Sequence, residues 1–402
     1  MSETYDYYSD EFQSDPAATY QRMRERCPVH KSDTWGWYSL FRYADIQKVI
    51  SDNETYSVRK GPGPIDTEGN PGILVATDPP QHMLEKRLVG RVFNLSLMES
   101  FEPGLRKYVA GLLYDLAPAG RCDLIVDVAE PVPLWIICQL LDVDFERWGR
   151  KMREWVYVLA GAVFSQDRDM GSEVLEAATG LRGFLEPIVD AALAKRASGE
   201  APGRGLIDQL AAAEVEGMRL NKDQLMGFGN FVVIAGSGTT TNSIGNFFAA
   251  MVDHPDQFAL LKQCPELLPN AVEEVIRFYA PVPGLFRTNN KPVTLGGVDI
   301  PVDSKICVMW GSGNRDPELF ERPNEFDITR DLEELKRKNL SFGGGIHRCM
   351  GAPLSRMEIR VVVEEWLKRI PEFREYEPRV RYPHATLIGD DHLYLEWEVA
   401  GR

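Results

Sequence analysis

From about His82 to Tyr279 this 402-residue chain carries helical patterning, and short strand signals take over only after Pro281. That order specifies a mainly α chain with a few small sheets. Breaks in the helical stretch are expected near Pro118, Pro131–Pro133, Pro187 and Ala201–Gly205. Ahead of it, Trp35–Phe41 has the aromatic flavour of a strand, a helix-like run follows from Tyr43, and the Gly- and Pro-rich segment Arg59–Pro80 reads as a long loop. Beyond Pro281, two short runs flank Gly296-Gly297, a hairpin signature. Pro353–Ile370 reads as an amphipathic helix with Val361–Val363 and Leu367 inward, and the tail from Leu393 alternates like a last strand. No repeat recurs at a fixed period and no linker is long enough to divide the chain. Residues 1–402 are therefore expected to form a single large helical domain.

Composition narrows the function classes. Hydrophobic residues make up 44% and charged residues 26%, which excludes disorder, collagen and coiled coil as the main theme. A net charge of -15, from 45 basic and 60 acidic residues, argues against a nucleic-acid binder. The longest apolar stretch, from Pro133, is short of a membrane span and carries Gln139, and the acidic N-terminus lacks the order of a signal peptide. A soluble, cytoplasmic protein with no membrane association is expected. The six cysteines lie far apart, with no CxxC pair and no CxxCH. That spacing fits neither a disulfide framework nor a zinc or iron–sulfur cassette nor covalently attached haem. A cysteine that does chemistry here does it alone.

Three segments could carry that chemistry. In Phe342–Gly351 (FGGGIHRCMG), three consecutive glycines free the backbone for close approach. Neither a Walker A loop nor a dinucleotide fingerprint fits, because Ile346-His347-Arg348 supplies no Lys-Ser/Thr pair and Arg348 occupies the third glycine position. What remains is Cys349, expected at a helix start, where the dipole and free N–H groups favour a thiolate. Such a thiolate could be a nucleophile or a metal ligand, and a buried structural cysteine is the plain alternative. In the second segment, Glu274 and Arg277 are spaced to pair on one helix face, which by itself reads as a surface ion pair. In the third, Ala235–Asn242 (AGSGTTTN) interrupts a long helical run. There, either two helices meet at a turn, or one helix is kept thin for a flat ligand, with Thr239 projecting its hydroxyl into a groove.

Together, in this order, these segments resemble a bacterial cytochrome P450, a soluble haem-thiolate monooxygenase. The resemblance runs along nearly the whole chain, from the segment at Asp78 through Glu274-x-x-Arg277, the segments at Phe286 and Gly311, and the run ending at Arg330. The cysteine loop matches Phe-Gly-x-Gly-x-His-x-Cys-x-Gly at every fixed position. The resemblance implies the cytochrome P450 fold, with a long central helix over haem b (iron protoporphyrin IX) and Cys349 as its iron ligand. It further implies that Phe342, Gly343 and Gly351 shape the loop around the sulfur, and that His82, Lys86, Arg287 and His347 lie near the haem propionates. Glu274, Arg277 and Arg330 would form an internal ionic lock.

Two positions depart from the family pattern. Lys86 stands where an arginine is usual, a point charge in place of a planar fork. Gly238 stands where an acid usually precedes the alcohol, leaving Thr239 alone. Proton delivery is then expected through water ordered by Thr239, Ser237 and the substrate. Peroxide-driven or otherwise non-hydroxylating chemistry is the alternative, and a cysteine-nucleophile hydrolase using Cys349 with His347 is a more distant one.

The resemblance places the substrate among the Arg59–Val75 loop, the segment Trp155–Phe164, Phe231, Ile234, Ala235, Val282, Leu285, Leu387 and Ile388. An apolar wall of this kind suits a terpenoid, steroid, fatty acid or aromatic molecule. Electrons would come from a separate ferredoxin and its NAD(P)H-dependent reductase. Those would dock on a basic patch of Lys86, Arg87, Arg91, Arg348 and Arg356.

Overall fold

The structure, a computed structural model, describes residues 4–67, 73–162, 171–381 and 387–399. Its principal helices, in chain order, are α1 (Tyr43–Ser51), α2 (Gln81–Val92), α3 (Glu102–Leu116), α4 (Pro131–Leu141), α5 (Phe145–Ala162), α6 (Ser172–Ser198), α7 (Leu206–Ala212), α8 (Lys222–Asp253), α9 (Leu268–Tyr279) and α10 (Ala352–Leu367). They divide between two compact units, each assembled from three stretches of chain, and the division falls inside α8 between Ile244 and Gly245.

The first unit comprises residues 1–68, 245–349 and 379–391. Its sheet has five strands, in the order Val29–Lys31, Tyr38–Leu40, Lys305–Val308, Leu285–Asn289, Tyr56–Ser57. The pair Tyr38–Leu40 and Lys305–Val308 is parallel, and the others are antiparallel. Leu40, Ile306 and Val308 from the strands meet Ile46, Val49 and Ile50 of α1 in one buried cluster. The hairpin expected at Gly296-Gly297 joins Val293–Leu295 to Val298–Ile300. Both glycines have positive φ (53° and 80°), the requirement of a two-residue turn that follows the twist of its strands.

The second unit comprises residues 69–244, 350–378 and 392–402, and helices dominate it. Helix α10 packs on α3, and a three-stranded sheet joins Arg121–Asp123, Tyr394–Glu396 and Arg374–Glu375. Two sequence expectations need correction. Helix α6 runs unbroken through Pro187, because Leu181, Phe184, Leu185, Val189 and Ala192 bury a continuous apolar face on both sides of it. That burial outweighs a cost of about 3 kcal/mol for the lost N–H and the ring clash. On α10, Val361–Val363 are buried, but Trp366 takes the inward position expected of Leu367, which is only half-buried. Trp366 meets Trp397 and Phe373 edge to face.

An ion network fastens α10 to α3. Glu365 accepts from Arg106 (2.8 Å), Lys368 (2.6 Å) and Arg369 (2.8 Å). Burial pushes its carboxyl up, but these hydrogen bonds together outweigh it and bring it down to about 2. A depressed folded-state value stabilises the protein above the ordinary glutamate range, and that stabilisation is lost as pH falls toward 2. Glu365→Gln should therefore cost about 2–3 kcal/mol at neutral pH. Thermal unfolding of the two proteins should differ most at pH 7 and converge as pH falls below about 4.5. A difference independent of pH would contradict the assignment.

Candidate active site

Glu274 and Arg277, one turn apart on α9, have no exposed side-chain surface. Arg277 grips the carboxylate with Nε (2.7 Å) and Nη2 (2.8 Å). The same carboxylate accepts from Arg330 Nε (3.1 Å) and the Asp327 N–H (3.0 Å). The remaining guanidinium donors go to backbone: Arg277 to the carbonyls of Asn314, Pro323 and Glu325, and Arg330 to those of Glu321, Arg322 and Glu325. The pairing read from spacing as a surface contact is thus a buried trio that binds α9 to the polar stretch at residues 314–330.

Asn314, which the sequence reading did not single out, carries this arrangement to the cysteine loop. Its carbonyl accepts from Arg277, its Nδ2 donates to Ser341 Oγ (2.7 Å), and its Oδ1 accepts from the Leu340 N–H (2.7 Å). Ser341 in turn donates to the Ile276 carbonyl (2.7 Å). The only signal in the sequence was its place within the family-like run at residues 311–320.

The loop itself is closed by the Cys349 N–H donating to the Phe342 carbonyl (2.8 Å). Gly343 and Gly345 have φ of 66° and 61°, which favours glycine. The close approach expected of the glycine run is made to α1. A Cβ at Gly345 would lie 2.5 Å from the Ile50 carbonyl, and one at Gly344 would lie 2.6 Å from Ile50 Cδ1. Cys349 precedes α10, which starts at Ala352 behind an N-cap at Gly351. It therefore lies outside the first turn, where the expected helix-terminus effect is strong. Of the six cysteines Cys349 alone is exposed. Phe342 and His347, on the same loop, are half-buried.

Helix α8 is continuous from Lys222 to Asp253, so the reading of two helices meeting at a turn is overturned. Its polar side chains bond back along the helix, satisfying the segment that glycine and threonine would weaken. Ser237 Oγ donates to Val233 O (2.7 Å), Thr239 Oγ1 to Ala235 O (2.9 Å), Asn242 Nδ2 to Gly238 O (2.9 Å) and Ser243 Oγ to Thr239 O (2.8 Å). Ser237 is buried, and Thr239 and Gly238 are half-buried. The thinness at Gly236 is used by α4, whose Ile137 Cδ1 would meet an added Cβ at 3.3 Å. Thr240 Oγ1 donates to Ser355 Oγ (3.2 Å), joining α8 to α10 through two hydroxyls that the sequence did not single out.

On α2, His82 and Lys86 are one turn apart, with His82 buried. Burial, then the Lys86 ammonium, holds the imidazole below its ordinary value, and burial lowers Lys86 as well. Arg287, on strand Leu285–Asn289, is 5% exposed and donates to the Phe286 carbonyl (3.0 Å). Phe231, Ile234 and Ala235 share one face of α8, all half-buried. In the first unit, Val282 and Leu285 pack against the sheet core. Leu387 and Ile388 are buried, with the Ile388 N–H on the Pro281 carbonyl (2.7 Å). Residues 163–164 of the Trp155–Phe164 segment, and residues 68–72 of the Arg59–Val75 loop, lie outside the described residues. In the expected basic patch Arg87 is neutralised by Glu216 (2.6 Å) and Arg91 is turned to the Glu214 carbonyl (2.7 Å), whereas Arg348 stays exposed.

The donor chemistry suits haem. Among the described residues no group of three or more His, Cys, Asp or Glu gathers, so Cys349 offers a metal one protein ligand, and a macrocycle would have to supply the others. Buried His82, which the lowered value leaves with a neutral imidazole N–H, and half-buried Lys86, with its ammonium, offer hydrogen-bond donors to a ligand with carboxylates. No helix among the described residues is long and apolar enough to cross a membrane.

Comparison with known proteins agrees. The family model for cytochrome P450 matches residues 153–371. The cytochrome P450 monooxygenase PikC of Streptomyces venezuelae is 32% identical, over 96% of this chain and 92% of its own length. The erythromycin C-12 hydroxylase of Saccharopolyspora erythraea is also 32% identical, over 92% of this chain and 91% of its own. The structure of cytochrome P450 CYP109Q5 from Chondromyces apiculatus superimposes with a TM-score of 0.87 at 28% identity, covering 100% of both chains. The chain belongs to the cytochrome P450 family: its fold is the mainly α P450 fold, and it is a monooxygenase that uses haem b.

Proposed function

We propose that this protein inserts one oxygen atom from O2 into a lipophilic small molecule, such as a terpenoid, steroid, fatty acid or aromatic. The observation that carries the substrate class is the apolar face of α8 at Phe231, Ile234 and Ala235, which places no charged anchor beside Thr239. The relative from Saccharopolyspora erythraea, an erythromycin C-12 hydroxylase, supports hydroxylation of an organic small molecule. Electrons come from a separate ferredoxin and an NAD(P)H-dependent reductase, and the protein works in the cytoplasm as one domain over residues 1–402. The interleaving of three chain stretches in each unit supports that single-domain reading. Arg348 is the exposed basic residue of the cysteine loop that suits an acidic partner, while Glu216 cancels the charge of Arg87.

Haem b held by this chain supplies the redox chemistry of oxygen activation. Cys349 would hold the iron, His82, Lys86, Arg287 and His347 the propionates, and Phe342, Gly343 and Gly351 the shape of the loop around the sulfur. Thr239 Oγ1 keeps its proton on the Ala235 carbonyl and offers its lone pairs to a water. Gly238 brings no acid to that point, and Ser237, buried and donating to Val233, can only accept. Proton supply then depends on water and on the substrate itself.

The reading is tested by incubating the holoenzyme with surrogate redox partners, isotopically heavy O2 and a panel of lipophilic compounds. One heavy oxygen per product is expected, and no incorporation from any compound that shifts the haem spectrum would refute it. In the same assay Gly238→Asp should raise product per NAD(P)H severalfold and lower peroxide release. Unchanged coupling would show that the missing acid does not limit turnover. Gly238 also favours a second reading, oxidation driven by hydrogen peroxide, under which peroxide alone would replace O2 and the redox partners at full rate.

A further inference from the structure

Glu85 lies on α2 with 1% of its surface exposed, and its carboxylate gathers donors from three places. Oε2 accepts the Leu74 N–H (2.9 Å) and Thr77 Oγ1 (2.7 Å), both in the loop that precedes α2. Oε1 accepts Gln81 Nε2 (2.8 Å) from the first turn of α2 and Gln224 Nε2 (3.4 Å) from the first turn of α8. Gln224 is itself fixed, its N–H on Asn221 Oδ1 (2.9 Å) and its Oε1 accepting the Asn221 N–H (3.1 Å).

The loop end of this arrangement is strained. Leu74, a non-glycine residue, has φ of 57° and sits at the centre of a three-residue turn closed by the Val75 N–H on the Ile73 carbonyl (2.6 Å). Turns of this hand are rare and persist only where their surroundings over-determine them. Ile73 and Leu74 are buried, and the hydrogen bond that steadies the Leu74 amide comes from Glu85. A charged carboxylate is costly to bury, and a single apolar side chain at position 85 would pack α2 without that cost. What the carboxylate adds is a fixed distance between a strained loop and the start of α8. Phe231, Ile234 and Ala235 follow Gln224 along the same helix.

We infer that Glu85 is a positioning residue, a latch that holds the Ile73–Thr77 loop closed against α2 and α8 and thereby sets how long a ligand is retained. The inference rests on the reading that this loop and α8 border the substrate. Breaking the latch should loosen the loop without disturbing the thiolate loop, which belongs to other residues.

The test uses holoenzyme and 4-phenylimidazole, a bulky iron-binding probe, with carbon monoxide as a small one. In stopped-flow displacement, 4-phenylimidazole should leave Glu85→Ala about tenfold faster than wild type, the scale of one lost charge-assisted hydrogen bond. Glu85→Gln keeps an oxygen for Leu74 and Thr77 but presents an amide to Gln224, so it should fall between the two. The carbon monoxide spectrum should be unchanged in both, and the Leu74 amide should lose hydrogen-exchange protection in Glu85→Ala. Unchanged dissociation in variants that keep the carbon monoxide band overturns the latch and leaves the monooxygenase standing. A wild type without that band overturns the underlying reading instead. Should Glu85→Ala not fold, Thr77→Val removes one donor alone and is expected to speed dissociation about threefold, and no change there overturns the latch equally.

Discussion

Glu274→Ala should yield little or no folded holoprotein. The substitution removes the carboxylate and leaves the Arg277 guanidinium with 0% exposure, still held by the carbonyls of Asn314, Pro323 and Glu325. A buried cation stripped of its partner costs about 3–5 kcal/mol, against a total stability of about 5–15 kcal/mol. The loss would also reach the cysteine loop, because Arg277 fixes Asn314, and Asn314 fixes Leu340 and Ser341. Arg277→Lys should fail for a second reason, since an ammonium cannot reproduce the two-pronged grip on Glu274 while also serving three carbonyls. Soluble yield and the midpoint of urea unfolding are the measurements. A Glu274→Ala protein that unfolds at the wild-type midpoint would contradict the buried lock.

Cys349→Ser should do the opposite, leaving the fold intact and removing the chemistry. The contact that closes the loop uses the backbone N–H of residue 349, and the glycine geometry depends on α1, so the sulfur is not needed to build the loop. Serine offers a hydroxyl in place of a thiolate, so the electron donation expected of Cys349 as a haem ligand would be lost. Unfolding is expected at the wild-type midpoint, with oxygenation of any substrate falling to the background of free haem. Retained oxygenation would assign the iron ligand to another residue.

Much of this was legible in the chain because it depends on local rules. Gly296-Gly297 dictates its turn wherever it stands, and the pattern from Phe342 to Gly351 is specific enough to carry a family resemblance without any structure. What was not legible depends on neighbours distant in sequence. Nothing in the spacing of Glu274 and Arg277 distinguishes a surface pair from a buried one, because the carbonyls that bury it come from residues 314–325. Pro187 reads as a break, yet the apolar face of α6 carries the helix through it. The strain at Ala235–Asn242 is relieved by hydroxyl and amide bonds back along α8, which composition does not reveal. Arg87 reads in the sequence as a free positive charge, yet Glu216, far along the chain, lies against it.

The central claim, that Cys349 is the thiolate ligand of a haem iron, is tested most directly by the carbon monoxide difference spectrum of the dithionite-reduced wild-type protein. The account predicts a strongly red-shifted Soret band that disappears in Cys349→Ser. A protein that takes up haem but gives the unshifted band of a neutral ligand, or that stays colourless after reconstitution with haem, would contradict it.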